Sequence, residues 1–208
     1  SEREWALFHA QQAWLAGDAA EAELRYGGLL AQWPEDLEAR YLLGDLRMHT
    51  NPDRGRSIRE AKPPLKRALD LDPGHIGARV KLARLAALEG RPQRACEHME
   101  RALALSPDGD QALAVRALRS WLVDDADEQR DVLAALRSAR AQTLMIAFSD
   151  VSVYGGDLAR AERFGASLTG IIESEDLRTV SWMVRAYVAF ARGQVGSGDR
   201  SEKIRTYN

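Results

Sequence analysis

The sequence predicts an all-α protein made of stacked helical hairpins, and three observations indicate this class. First, residues 76–107 read as two amphipathic helices separated by Gly90. Second, the endings Leu-x-Leu-x-Pro at 69–73 and 103–107 lie 34 residues apart. Third, Gly-Asp followed after three residues by Ala-Glu occurs twice, at 17–23 and 156–162. A hairpin with two apolar faces cannot bury both alone, so such units are expected to stack on copies of themselves.

The spacing of 34 residues is the period of the tetratricopeptide repeat (TPR), and small residues make the resemblance to that family specific. They stand where two helices would touch, since larger side chains there would force the helices apart. These residues are Ala22, Ala61, Ala68, Ala95 and Ala102. The resemblance implies a right-handed TPR superhelix, an α-solenoid, of about five helix-turn-helix units plus a half-unit.

Composition narrows the class of protein further. The 208 residues are 45% hydrophobic, and 29 basic and 31 acidic side chains leave a net charge of −2. The chain therefore has no net positive charge that would attract nucleic acid or an anionic membrane. No apolar run approaches the roughly 20 residues of a membrane span, and the charged start is unlike a secretory leader. Cys96 is the single cysteine, which excludes an intrachain disulfide. We expect a cytoplasmic protein without nucleic-acid or membrane partners.

The first two units are predicted at about 3–36 and 37–75. The second is five residues longer than the repeat period, and the polar run 49–57 is the place for the extra residues, between its two helices. Ser57 and Glu60 resemble a capping box that restarts the helix. Prolines 63 and 64 contradict a regular helix, because an interior proline removes a hydrogen bond and clashes with the preceding turn. They predict either a kink or a helix start near Pro63.

The remaining units are predicted at 76–109, 110–141 and 142–176, with a half-unit at 177–193. The fourth unit is degenerate, because its turn at 124–127 carries three aspartates and no glycine. The half-unit contains one helix, from Leu177 to Arg192, without a partner helix. An apolar helix face in water tends to pack on another surface, so we expect either self-association through the C-terminal end or docking of the C-terminal tail onto that face.

Residues 194–208 read as a flexible, polar tail. This segment, QVGSGDRSEKIRTYN, resembles part of bacterial class I peptide chain release factors. The Gly-Gly-Gln tripeptide that this family uses for peptide release does not occur in the chain. The resemblance implies either an appended or junction segment or a native tail that imitates a release factor, and neither could hydrolyse peptidyl-tRNA.

Residues 1–193 are also similar to the TPR region of bacterial proteins that join a serine/threonine kinase to such repeats. The similarity is carried by Asn51-Pro52-x-x-Gly55-Arg56-Ser57. The chain has no glycine-rich loop, His-Arg-Asp or Asp-Phe-Gly of a kinase. The resemblance implies the docking or regulatory part of a larger signalling protein.

No residue pattern predicts catalysis, a metal or a cofactor. The four histidines lie far apart in sequence, and Cys96 and His98 diverge by about 200° on one helix. Gly196-Ser197-Gly198 has no preceding strand, which a dinucleotide fingerprint requires. Acid–base catalysis by a pair of carboxylates requires an apolar pocket that makes their pKa values differ, and the turn at 124–127 has no such pocket around its carboxylates. We therefore expect a chain that is not an enzyme and that needs no cofactor and no metal.

The candidate site is the concave groove, which in this family is lined mainly by the first helix of each unit. The residues predicted to line the groove include aromatic residues, Met and Arg, which are residue types enriched at protein interfaces. The predicted groove carries two carboxylates and one guanidinium, and this charge balance favours a peptide ligand that is basic and apolar. A passive spacer, or an enzyme whose site the sequence hides, are the alternatives. The groove residues are predicted as Gln11, Trp14, Tyr41, Asp45, Met48, Arg84, Trp121, Asp150, Tyr154 and Tyr187.

Overall fold

The computed structural model describes residues 1–109 and 111–171 together with Ala186. Within these residues it contains α-helices joined by short turns and no strand, which confirms the predicted all-α class. The helices are α1 (Glu2–Leu15), α2 (Ala19–Gln32), α3 (Leu37–Thr50), α4 (Lys62–Leu71), α5 (Ile76–Leu88), α6 (Pro92–Leu105), α7 (Ala112–Leu122), α8 (Ala126–Leu136), α9 (Ala141–Ser149) and α10 (Leu158–Ile171).

The helices fall into two compact units, and the division comes directly after Pro107. In the first unit α1 packs on α2, α3 on α4 and α5 on α6, with each hairpin also touching the next through α2 and α3 or α4 and α5. In the second unit α7 packs on α8 and α9. A π-helical turn, Asp150–Tyr154, continues α9 and packs on α7 and α10. The sequence does not predict this turn.

Small residues hold the helices of the first unit close together, as predicted. Their side chains are buried at Ala22, Ala61, Ala68, Ala95 and Ala102. Gly44 shows how little space remains, because a Cβ atom there would lie 2.5 Å from Cγ of Leu65 on α4. A methyl group at Gly44 would therefore push α3 away from α4.

Left-handed backbone closes the turns between paired helices. Gly17, Gly90 and Gly156 have φ values of 83°, 67° and 72°. In the turn between α7 and α8 Asp124 takes this role with φ 55°, a conformation that costs a residue with a Cβ more than it costs glycine. The degenerate fourth hairpin thus keeps the turn geometry without the glycine. The next residue, Asp125, caps α8 by accepting a hydrogen bond from the Glu128 N–H at 3.1 Å.

The extra residues of the second hairpin lie in its turn, as predicted. After α3 the chain forms a short 3₁₀ helix, Pro52–Arg54, and a second one, Ile58–Ala61. Helix α4 then begins at Lys62 with prolines in its first turn, where no backbone donor is needed. Of the two alternatives for Pro63, the structure shows the helix start.

The predicted capping box at Ser57 is wrong in part. The Ser57 hydroxyl does accept a hydrogen bond, at 3.2 Å from the Arg59 N–H, but it caps the 3₁₀ helix. Glu60 does not complete the box, because its carboxylate forms an ion pair with Arg56. The pairing of charges outweighs the local capping pattern here.

A single carboxylate ties this inserted turn to the first hairpin. Glu23 on α2 accepts hydrogen bonds from Arg47 at 2.8 Å, Arg54 at 3.0 Å and Arg56 at 2.5 Å. Burial raises the pKa of Glu23, but the three guanidinium groups outweigh burial and bring its pKa to about 2. The buried Asn51 donates to the Ser57 carbonyl at 3.0 Å. The motif that resembles kinase-linked repeats therefore holds a turn in place.

The predicted half-unit at 177–193 and the tail at 194–208 lie outside the described residues except for Ala186. The uncovered helix face, the self-association through the C-terminal end and the release-factor-like segment stay predictions.

Candidate protein-binding site

A line of side chains crosses the first helices of all three hairpins in the first unit. Trp14 of α1 lies with its ring centroid 6.3 Å from that of His49 on α3. His49 reaches Asp45 one turn earlier, with Nδ1 and Oδ1 2.9 Å apart, and Asp45 forms an ion pair with Lys81 of α5. The Lys81 ammonium in turn lies 5.8 Å from the ring centroid of Tyr41. We call these five residues the wall.

Asp45 is the electrostatic centre of the wall. Burial raises the pKa of its carboxyl, but hydrogen bonds and charges from His49 and Lys81 outweigh burial and hold the pKa below its usual range. The Asp45 carboxylate in turn raises the pKa of His49 above its ordinary value, against the opposing effect of burial. The prediction used Asp45 as a carboxylate available to a basic ligand. In the structure Lys81 and His49 of the chain itself already engage it.

Tyr41 provides the aromatic surface in the middle of the wall. Its ring is half-buried and lies 4.6 Å from the ring of His75, the residue that caps α5. Burial raises the pKa of Tyr41 to about 12, so its hydroxyl stays protonated at neutral pH. The ring has room because Gly77 faces it, and a Cβ at Gly77 would lie 2.9 Å from the Tyr41 hydroxyl oxygen.

Three other predicted groove residues of the first unit differ in how accessible they are. Gln11 and Arg84 are half-buried, so each offers part of its side chain to solvent. Met48 is buried, which corrects its prediction as a groove residue. Met48 comes one turn after Gly44, on the face of α3 that packs on the rest of its own hairpin.

Two of the groove residues predicted in the second unit are core residues. Trp121 is 3% exposed, with its ring centroid 4.5 Å from that of Phe164 on α10. Asp150 is also buried, at the start of the π-helical turn that packs on α7. Both predictions are corrected, because Phe164 of α10 packs on Trp121 and because the turn that contains Asp150 packs on α7 and α10. Tyr154 is half-buried, and Tyr187 lies outside the described residues.

Sequence reasoning missed two members of this arrangement, Lys81 and His75. Lys81 lies four residues after Gly77 and three before Arg84, so it shares a helix face with both. That spacing was a usable signal. His75 precedes α5 and caps it, with Nδ1 accepting from the Ala78 N–H at 3.1 Å, and its ring contact with Tyr41 depends on how two hairpins meet.

Comparisons with known proteins agree with the fold. The family model described as tetratricopeptide repeat matches residues 56–122. No curated protein sequence matches the chain. The solved structure of PilW, titled a widely conserved type IV pilus biogenesis factor, has a TM-score of 0.63 at 16% identity and covers 100% of this chain and 98% of its own. A thermophilic TPR protein of Thermus thermophilus has a TM-score of 0.59 at 17% identity, and the match covers 88% of this chain and 99% of that protein.

A Thermobaculum terrenum O-GlcNAc transferase mutant also matches, with a TM-score of 0.49 at 23% identity over 77% of this chain. The chain spans only 26% of that transferase. At these identities the likenesses to PilW and to the Thermus thermophilus protein show a shared fold alone.

The architecture is an all-α TPR solenoid fold, and the family match together with the structural neighbours supports a TPR protein. TPR folds are in general scaffolds for protein interactions. None of the helices described here is long and apolar enough to cross a membrane.

Proposed function

We propose that this chain is a non-catalytic scaffold that binds a peptide segment of a partner protein on the wall of α1, α3 and α5. One observation carries the proposal. Trp14 of α1 lies against His49 of α3, and the Tyr41 ring of α3 lies against His75 at the start of α5. The Asp45–Lys81 pair links these two pairs of rings, which stay partly open to solvent. Aromatic groups offer a large contact area for little loss of rotamer freedom, which suits them to protein interfaces.

The wall favours a largely apolar segment. Asp45 is engaged by Lys81 and His49, and Asp150 is buried, so the two carboxylates that argued for a basic ligand do not face solvent as free charges. The rings of Trp14 and Tyr41 remain as stacking surfaces. The Asp45–Lys81 pair joins α3 to α5 beside the Tyr41 ring and so holds these two helices together there.

The proposal is tested by selecting peptides from a displayed random library on the full chain and measuring their affinities by fluorescence anisotropy. We expect His49→Ala and Trp14→Ala each to weaken a selected peptide about tenfold or more, equivalent to roughly 1.4 kcal/mol. His9→Ala is the matched control, because His9 is an exposed histidine of the same unit outside the wall. It should leave the affinity unchanged.

The same experiment separates the alternatives. If the chain is a passive spacer, no peptide binds saturably. If a peptide binds but neither wall variant weakens it, the interaction lies elsewhere and the proposal is overturned. An enzyme with a concealed site would turn over a selected peptide, which mass spectrometry of the incubated peptide detects.

A wider role follows from the kinase-linked resemblance, and we propose it as the cellular context. The scaffold would be the docking or regulatory part of a larger bacterial signalling protein in the cytoplasm. The full-length gene tests this role, since a kinase domain in the same reading frame supports it. Fractionation of cells with an antibody against the chain tests the compartment.

A further inference from the structure

A second candidate surface lies on the face of α5 that α4 and α6 flank, away from the wall. A cavity of about 410 Å³ opens between α4, α5 and α6 in the first unit, within the size range of ligand pockets. Its floor is apolar, formed by Leu69, Leu82 and Ala86. Its rim carries charged and imidazole side chains, namely Lys62, Lys66, Asp70, Arg94 and His98.

This cavity is separate from the wall. Leu82 and Ala86 lie four residues apart on one face of α5, whereas Lys81 of the wall comes one residue before Leu82 and five before Ala86, so it points roughly 100° and 140° away from them. A ligand in the cavity would contact the second helices of two hairpins, α4 and α6. The inference therefore goes beyond the function proposed for the wall.

The charges of the rim are unevenly satisfied. Lys62 binds the Glu89 carboxylate at 2.7 and 2.8 Å, and Asp70 lies 4.0 Å from Arg67. Lys66 and Arg94 have no ion pair among the described residues, and both are exposed. Two cations of the rim, one on α4 and one on α6, are thus left to interact with a ligand.

The pKa of His98 reflects the same excess of positive charge around the cavity. Burial lowers the pKa of His98, and the cations Arg79, Arg94 and Arg101 lower it further, while only Glu97 acts in the opposite direction. A positive potential that disfavours a cationic imidazole favours an anion at the same place.

We propose that this cavity binds an acidic and apolar segment of a protein partner. A carboxylate of that segment would lie between Lys66 and Arg94, and a neighbouring apolar side chain would rest on Leu82 and Ala86. Charge complementarity selects this occupant over a basic or neutral peptide. The apolar floor selects it over a small inorganic anion, which would leave Leu82 and Ala86 uncovered.

Binding should tighten as pH falls from about 7.5 to about 6, because a bound carboxylate stabilises protonated His98 while carboxylates stay ionised above about pH 5. The charged groups around His98 are Arg79 of α5, Glu97 and Arg101 of α6 besides Arg94, and the α4 groups that share the cavity, Lys62, Lys66 and Asp70.

The experiment titrates three probes into the full chain and follows the His98 imidazole by NMR, with His98→Gln used to assign its signal. The probes are the synthetic peptide Asp-Leu-Glu-Leu-Asp-Leu, its neutral counterpart Asn-Leu-Gln-Leu-Asn-Leu, both blocked at their ends, and inorganic phosphate. We expect the acidic peptide alone to saturate and to raise the pKa of His98. Lys66→Glu and Arg94→Glu should each weaken it at least tenfold, whereas Arg130→Glu, an exposed charge reversal on α8, should not.

The proposal is overturned if the neutral peptide binds as tightly, if phosphate moves the His98 signal and the acidic peptide does not, or if both cavity variants keep full affinity. The wild-type titration decides the matter without either variant. Folding of the variants is checked by circular dichroism, and Lys66→Gln and Arg94→Gln supply milder changes with the same expected direction. This readout at His98 is independent of the wall, so its failure leaves the function proposed there intact.

Discussion

Asp45 on α3 forms an ion pair with Lys81 on α5, and both side chains are largely buried, with 18% and 8% of their surfaces exposed. The pair joins the second hairpin to the third beside the Tyr41 ring. A buried charge that loses its partner is costly, so this contact constrains how the two hairpins stack.

Asp45→Asn is expected to destabilise the protein by about 1–3 kcal/mol, because it removes the carboxylate charge that pairs with the largely buried Lys81 ammonium. The measurement is the free energy of unfolding from urea titration. Asp53→Asn, at an exposed position of the inserted turn, is the control and should change stability by less than about 0.5 kcal/mol. Equal effects of the two substitutions would contradict a structural role for the pair.

The His49–Asp45 contact predicts a pH dependence of stability. The pKa of His49 is raised in the folded protein, so the contact is fully present below the unfolded pKa of about 6.5 and is lost as pH rises through the folded pKa. His49→Gln should therefore destabilise more at pH 6 than at pH 8.5. The difference should stay below about 1 kcal/mol, because the His49 side chain is 60% exposed. His9→Gln, compared at both pH values, should show no such difference.

Glu23 predicts sensitivity to acid. Its pKa is lowered to about 2, so its contribution to stability is present above the unfolded pKa of about 4.5 and is lost as pH falls toward 2. Glu23→Gln should destabilise the protein by about 1–3 kcal/mol at pH 7 and much less near pH 2.5. Thermal unfolding across this range measures both. Glu21→Gln, which removes an exposed pair with Arg25, should cost less than about 1 kcal/mol throughout.

Close packing of α5 and α6 predicts that Ala95→Trp and Ala102→Trp destabilise the protein by about 1–3 kcal/mol or more through overpacking. Cys96→Ala should cost little, because its half-buried thiol packs as a small side chain. The denaturant midpoint measures all three. Gln93→Trp places the same large ring at an exposed position of α6 and should leave the midpoint close to that of the wild type.

Much of the local structure was determined by the sequence itself, because the signals are short-range. Gly17, Gly90 and Gly156 predicted turns, and each has the left-handed φ that such turns need. The small residues Ala95 and Ala102 predicted close helix contacts because size alone decides whether two helices can approach. The helical period and the prolines gave the ends of most helices within a few residues, since both act on the backbone nearby.

The tertiary structure alone decided which side chains of the groove reach solvent. Periodicity shows that Met48, Trp121 and Asp150 lie on a given face of their own helices, but not which neighbouring helix covers that face. Met48 is buried within the second hairpin, Phe164 of α10 packs on Trp121, and Asp150 is buried where the π-helical turn packs on α7 and α10. The partnership of Asp45 with Lys81, 36 residues away, likewise depends on how two hairpins stack. Long-range packing sets burial and charge pairing, and a sequence pattern within one helix carries no record of it.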